Sequence, residues 1–183
     1  SQTYKDYEII VVDDGSTDNT KQVLEKVKNE NSDINFKILS QENKGVYSAL
    51  NNGIKNSFGE YIAMLDSDDM WLEDYLKIMV EKIENESSKT GLVYCGRILT
   101  YEDESREVFE DLSQYPSGNL LKYMIFRSRH ISYVCSIFRR EALEKINYFD
   151  DFYRTIGDRE IHYRFSKKYN YKFIPKHLVL DRR

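Results

Sequence analysis

Residues 8–18, Glu-Ile-Ile-Val-Val-Asp-Asp-Gly-Ser-Thr-Asp, decide how the rest of the chain is read. Ile9, Ile10, Val11 and Val12 form a short apolar run of β-branched side chains, closed by a turn signal at Gly15-Ser16. Such a run predicts a strand buried on both faces. Two adjacent carboxylates, Asp13 and Asp14, stand at its end. In open α/β sheets ligands sit at the carboxyl ends of the strands, so this strand carries negative charge to a binding edge. A second acidic loop, Asp66-Ser67-Asp68-Asp69, follows another apolar run, Tyr61–Leu65. The remaining sequence reads as a frame that brings the two loops together.

The order of elements supports that reading. Ser16 or Asp18 caps a helix over Thr20–Asn29, with Val23, Leu24 and Val27 on one side. Phe36–Leu39 is a short strand. After a turn at 41–45, Val46, Ala49, Leu50, Gly53 and Ile54 recur at helical spacing, and Gly59 is placed to stop that helix. From Leu72, the positions Tyr75, Leu76, Met79, Val80 and Ile83 mark an amphipathic helix. Strand–helix repeated three times predicts a parallel sheet with right-handed crossovers. The second half is less regular. Strands are expected at Leu92–Tyr101, Ile131–Phe138, Tyr171–Ile174 and Leu178–Leu180, and helices at Asn119–Arg127, Arg139–Ile146 and Asp158–Tyr169. Glu102–Glu110 reads as a charged loop or hairpin, and Tyr148–Gly157 as an aromatic, acidic loop. One domain, residues 1–183, is expected, with a nucleotide-type half to about residue 90 and a more variable half from about residue 91.

Composition narrows the classes of partner. The net charge of −4 offers no basic excess to neutralise phosphates, which argues against nucleic acid. An anionic ligand remains possible where a divalent cation lies between it and the protein. Cys95 and Cys135 lie in apolar strand-like runs without CxxC spacing, so both read as reduced core residues. No run of eighteen apolar residues encodes a transmembrane helix, and no signal-peptide pattern stands at Ser1. The 15 tyrosines suit flat amphipathic surfaces for sugars or bases, or half-buried positions at sheet and helix edges. His130, His162 and His177 lack metal-site spacing and read as surface or edge residues. Arg139-Arg140 starts a helix, with one of the two available to face an acceptor. Arg182-Arg183 meets phosphates or frays. Phe149, Phe152 and Tyr153 form either an acceptor platform or ordinary packing.

Asp66-Ser67-Asp68-Asp69 carries the strongest chemical signal. Alternating carboxylates on a tight loop can direct two oxygens at one hard cation, Mg²⁺ or Mn²⁺, leaving positions for water and phosphate oxygens. Without a cation, close carboxylates raise one another's pKa. The same residues also suit an acidic cap on the helix from Leu72. Asp13-Asp14 likewise suits a turn and helix cap through Gly15 and Ser16. Asp158 suits a helix N-cap ahead of Ile161.

Three segments in order, QTYKDYEIIVVDDGSTDNT (2–20), QENKGVYSALNNGI (41–54) and GEYIAMLDSDD (59–69) with Trp71, resemble the nucleotide-sugar half of family 2 glycosyltransferases. The resemblance continues through FRREALEKINYFDD (138–151) and IGDREIHYRFSKKYNYKFIP (156–175). It implies the GT-A fold, a Rossmann-like three-layer α/β/α sandwich with a mostly parallel central sheet. It implies transfer of a sugar, with inversion, from a nucleotide-diphosphate donor such as a UDP-sugar to a hydroxyl of a glycan or lipid-linked acceptor. By resemblance, Asp13 or Asp14 bonds the uracil, Lys44 lies near the base or diphosphate, and Asp66 sits by the ribose and metal-bound water. Asp68 binds Mn²⁺ or Mg²⁺, and Asp158 is the catalytic base. A cytoplasmic setting and a role in cell-surface polysaccharide synthesis follow from the same likeness, with any membrane association peripheral and carried by parts outside this chain.

Two departures stand out. Gly157 occupies the place of a family Glu, and the family's first strand, with its Pro-Thr-Tyr-Asn-like end, has no counterpart. The chain therefore reads as a fragment or trimmed copy of a longer protein. Two other readings compete. A phosphoacceptor signalling domain also carries an acid pair and a later Asp around Mg²⁺, but it needs a lysine at a further strand end. A non-catalytic transferase-like binding module would tolerate Gly157.

Overall fold

The computed structural model describes residues 2–101, 107–126 and 131–182. In chain order its elements are β1 (Glu8–Asp13), α1 (Thr20–Glu30), β2 (Asn35–Ser40), α2 (Val46–Lys55), β3 (Tyr61–Ala63), β4 (Met70–Trp71), α3 (Tyr75–Glu84), β5 (Thr90–Thr100), β6 (Glu107–Phe109), α4 (Leu121–Phe126), β7 (Ser136–Arg139), α5 (Arg140–Lys145), α6 (Gly157–Ser166) and β8 (Asn170–Arg182). The expectations for residues 102–106, Arg127, His130 and Arg183 lie outside the described residues.

The β-branched run does form β1, paired in parallel with β2 from Glu8–Asn35 to Asp13–Ser40. It is not buried on both faces, as its composition predicted. Residues 8–12 are only half-buried, because among the described residues β1 and β2 form a sheet of two strands. The crossover helix α1 buries no residue. Asp18 rather than Ser16 supports its start, taking the Thr20 amide at 3.0 Å. Glu8 accepts the amides of Phe58 and Gly59, two residues short of β3. The first strand and β3 thus begin at one end of the molecule and carry their acidic tips to the other.

The main sheet runs β3–β7–β5–β8–β4, with β6 hairpinned onto β5. The expected mostly parallel sheet is instead mixed. Only β5–β8 is parallel within it, while β3–β7, β5–β7, β4–β8 and β5–β6 are antiparallel. Of the antiparallel pairs only β5–β6 is joined by a short connection; the others pair strands far apart in the chain, which the order of elements does not specify. The acidic turn after β3 sends β4 straight back, so the helix expected from Leu72 starts at Tyr75. The two short strands expected around Pro175-Lys176 are one strand. Ile174 lies opposite Cys95 and His177 opposite Gly96, so Pro175 and Lys176 bulge out. A bulge is where a residue without an amide fits into a central strand. Similarly, α2 ends at Lys55, capped by Asn56 whose amide bonds back to Asn52, before Gly59 is reached.

The core gathers Tyr75, Met79 and Ile83 of α3, Leu92, Val93 and Tyr94 of β5, Ile137 and Phe138 of β7, and Ile161 and Phe165 of α6. Cys95 and Cys135 are free and buried, as expected. His162 corrects the surface reading. It is 1% exposed, with Nδ1 3.2 Å from the Tyr171 hydroxyl, because its helix face packs onto β8. Arg139 and Arg140 bind the protein's own backbone. Arg139 donates to the carbonyls of Ile83, Glu86 and Thr90, and Arg140 to those of Ile54 and Gly59, tying strand ends to helix ends. No helix among the described residues is long and apolar enough to cross a membrane.

The second face of β5 is set by a glycine. A Cβ on Gly91 would lie 2.6 Å from Phe165 Cζ and 2.8 Å from Tyr169 Cγ, so α6 rests directly on the strand backbone. Gly91→Ala should destabilise the domain by about 1–3 kcal/mol through overpacking. Urea unfolding at unchanged m-value would measure it.

Candidate active site

The acidic turn lies between β3 and β4, and its geometry excludes the helix-cap alternative. Two strand residues separate Asp69 from the region of α3, and α3 has Asp74 at its cap position. Oxygens of Asp66, Asp68 and Asp69 lie within 4.8 Å of one another. Asp66 is held by the Tyr133 hydroxyl, which donates to its carboxylate at 2.7–2.8 Å. Burial raises the Asp66 pKa, the Tyr133 bond opposes that, and the charges of Asp68, Asp181 and Asp158 add to it. Asp69 is pushed up to about 6, first by burial and then by Asp181, Asp68 and Asp66, against the opposing Arg182 amide, which donates to Oδ1 at 3.1 Å. Three close carboxylates, of which Asp66 and Asp69 have raised pKa values, form a hard oxygen donor set, which fits a divalent cation.

The Asp13-Asp14 tip is organised differently. The Oδ1 of Asp13 takes the Ser16 amide at 2.9 Å, and bonding to Ser16 holds its pKa low. Asp14 reaches across to the next loop. It accepts Gln41 Nε2 at 2.8 Å, the Lys44 amide at 2.9 Å and the Gly45 amide at 2.8 Å. Burial raises the Asp14 pKa, but these bonds and the Arg154 charge outweigh it, leaving a net lowering. Gly15 (φ +79°) makes the junction possible, since a Cβ there would lie 2.8 Å from the Asn43 nitrogen. The Asp pair therefore closes a turn and also fixes the entry to α2. The exposed Lys44 is placed on that loop through its backbone.

Asp158 comes from the other half of the chain. It is not the N-cap of α6, since Ile156 holds that position and Asp158 sits inside the first turn. Its Oδ1 accepts the Arg159 amide at 2.8 Å, and its own amide donates to the Tyr47 hydroxyl at 3.3 Å. After burial, its charge contributes to the raised pKa values of Tyr47, Tyr133 and Asp66, which brings it to the acidic turn. Asp66, Asp68 and Asp158 thus share one electrostatic neighbourhood, and Asp14 holds the start of the helix that carries Tyr47. Arg164 anchors α6 by pairing with Glu160 and by donating to the carbonyls of Ile146 and Tyr148.

Four participants were missed in the sequence. Asp69 sits in the quoted motif but was not singled out as a site residue. Tyr47 lies in the second motif. Arg154, in the aromatic loop, places its guanidinium 3.5 Å from where a Gly45 Cβ would be. Tyr133 carries no local signal, because its role depends on a partner 67 residues away. Of the proposed aromatic platform, Phe149 is buried beneath Tyr47 and Tyr133, while Phe152 is 84% exposed.

Comparisons with known proteins bear on the fold and the family. S. aureus TarS, residues 1–349 solved with UDP, superposes with a TM-score of 0.75 at 23% identity, over 100% of this chain and 53% of that one. A mannosyltransferase of Pyrobaculum calidifontis, PcManGT, solved with GDP-Man and Mn²⁺, gives 0.74 at 20% identity, over 98% and 49%. These likenesses establish the GT-A fold. An uncharacterized glycosyltransferase of Rickettsia typhi is 29% identical over 100% of this chain and 56% of its own length. The chain therefore spans about half the length of these relatives. The sequence profile described as Glycosyl transferase family 2 matches residues 1–147, and the chain belongs to that family.

Proposed function

We propose that this domain transfers a sugar from a nucleotide-diphosphate donor, a UDP-sugar, to a hydroxyl of a glycan or lipid-linked acceptor, with inversion at the anomeric carbon. The observation that carries the reading is the cluster of Asp66, Asp68 and Asp69 in the turn after β3, with the charge of Asp158 from α6 acting on Asp66, in a chain of this family. The UDP held by TarS and the GDP-Man and Mn²⁺ held by PcManGT support a nucleotide-sugar donor and a divalent cation. Residues to about 90 hold the donor and those from about 91 meet the acceptor. This reading sets the domain in the cytoplasm, in the synthesis of cell-surface polysaccharide.

The roles are those that the resemblance implies, and the geometry supports them. Uracil N3–H donates to the Asp13-Asp14 pair. A carboxylate has about four acceptor positions, and Asp14 spends three on Gln41, Lys44 and Gly45, which orients it before the base arrives. Lys44 and the Arg154 guanidinium lie by the diphosphate. Asp68 and Asp66 would hold Mn²⁺ or Mg²⁺, with Asp69 beside them. A cation bound there supplies Lewis-acid stabilisation of the departing diphosphate. Asp158 orients the acceptor hydroxyl and takes its proton as the oxygen attacks the anomeric carbon opposite the leaving group.

Calorimetric titration of the full-length protein with UDP tests the donor site. Binding should require Mn²⁺, vanish with EDTA, and weaken by at least about tenfold in Asp68→Ala. Binding indifferent to both would refute the cation role. Asp158→Asn should lower UDP-sugar turnover by about 10²–10⁴-fold while leaving UDP and Mn²⁺ binding intact. A pH series tests the electrostatics. The raised value of Asp69, about 6, means the metal-free fold favours its protonated form. Asp69 ionisation therefore costs stability as pH rises from the ordinary carboxylate value to about 6. Metal-free Asp69→Asn should melt above the parent at pH 7, and the difference should close as pH falls through that window.

A further inference from the structure

Gly157 and Tyr47, 110 positions apart, occupy each other's space. A Cβ on Gly157 would lie 2.5 Å from Tyr47 Cε2 and 2.7 Å from Cδ2 and Cζ, so the tyrosine ring fills the volume that any side chain at 157 would take. Gly157 is buried and Tyr47 is 5% exposed. The hydroxyl at the ring's far end accepts the amide of Asp158 at 3.3 Å. The ring is itself clamped. It stacks on Phe149 with centroids 5.5 Å apart and planes 15° apart. The backbone of Phe149 is gripped on both sides by Asn51, one helical turn along α2, whose Nδ2 donates to the Phe149 carbonyl at 2.9 Å and whose Oδ1 accepts its amide at 3.0 Å. Phe149 in turn meets the edge of Tyr133, the donor to Asp66.

We infer that Tyr47 is a positioning residue for Asp158: α2 sets the first turn of α6, and with it the carboxylate, through the ring against Gly157 and the hydroxyl under the Asp158 amide. This inference rests on the reading of Asp158 as the base. It also accounts for the glycine. The place where the resembled family carries Glu is taken here by a side chain from a different helix, so α6 loses an acid and gains a rigid aromatic seat. Two independent observations meet in it, a steric exclusion at residue 157 and a hydrogen bond at residue 158. An ordinary core tyrosine would supply the first without the second.

The test is a double-mutant cycle in full-length protein, read as UDP release from UDP-glucose and UDP-N-acetylglucosamine with Mn²⁺. Tyr47→Phe keeps the ring and removes the hydroxyl. It should lower kcat about fivefold to tenfold, the scale of one hydrogen bond, with the donor KM unchanged. In the Asp158→Asn background the same change should have no further effect on kcat, because the hydroxyl acts only through Asp158. Parental kcat in Tyr47→Phe, or an equal loss in both backgrounds, overturns the inference while the role of Asp158 stands. Full turnover in Asp158→Asn overturns the base reading itself. A second cycle reads the ring. Gly157→Ala should lower the melting temperature in the parent and be tolerated in Tyr47→Ala. Equal losses in both would show that ring and glycine are not coupled, and the inference fails.

Discussion

Holding several carboxylates together at one sheet edge is the constraint on which the rest of this structure depends. Asp66, Asp68, Asp69 and Asp158 stand close enough to disturb one another's protonation or that of the tyrosines between them. Like charges at such range repel, and partial burial worsens the repulsion. The fold answers with neutral donors. Tyr133 gives its hydroxyl to Asp66, and Arg182 gives its backbone amide to Asp69. Arg97, paired with Glu110 and Asp181, places one cation behind the cluster. The edge stays electronegative, which suits a site that binds a cation together with an anionic ligand.

The second organising part is α2. Its start is set by Asp14 across a loop junction, its middle carries Tyr47 and Asn51, and its far end is bonded by Arg140. Through Tyr47 and Asn51 it reaches the loop before α6 and the first turn of α6. One helix therefore connects the tip of β1 with Asp158, although no strand pairing joins β1 to the main sheet among the described residues. Side-chain bonds to buried backbone groups make such a connection firm, because breaking one strands an unpaired polar atom.

Much of the site was legible in the sequence because its parts are local. A β-branched run ending in carboxylates, a glycine that permits φ +79° at Gly15 and a tight acidic turn are each specified within a few residues. The first strand, the helices after it and the buried cysteines followed. The failures were non-local. Pattern suggested that β1 was buried on both faces, but burial depends on what lies beside a strand. Strand order along the chain suggested a parallel sheet, whereas β7, β4 and β8 take their places and directions from pairing with strands distant in the sequence.

Sequence alone determined which residues carry charge, where the chain turns and which faces are apolar, since those properties belong to side chains and their near neighbours. Only the tertiary structure decided that Asp14 staples a loop, that Asp69 is pushed to about 6 and that Tyr47 lies over Gly157 beneath the Asp158 amide. Each of these arises from groups distant in the chain meeting in space. Burial, Coulomb interaction and steric exclusion depend on that distance and not on sequence separation.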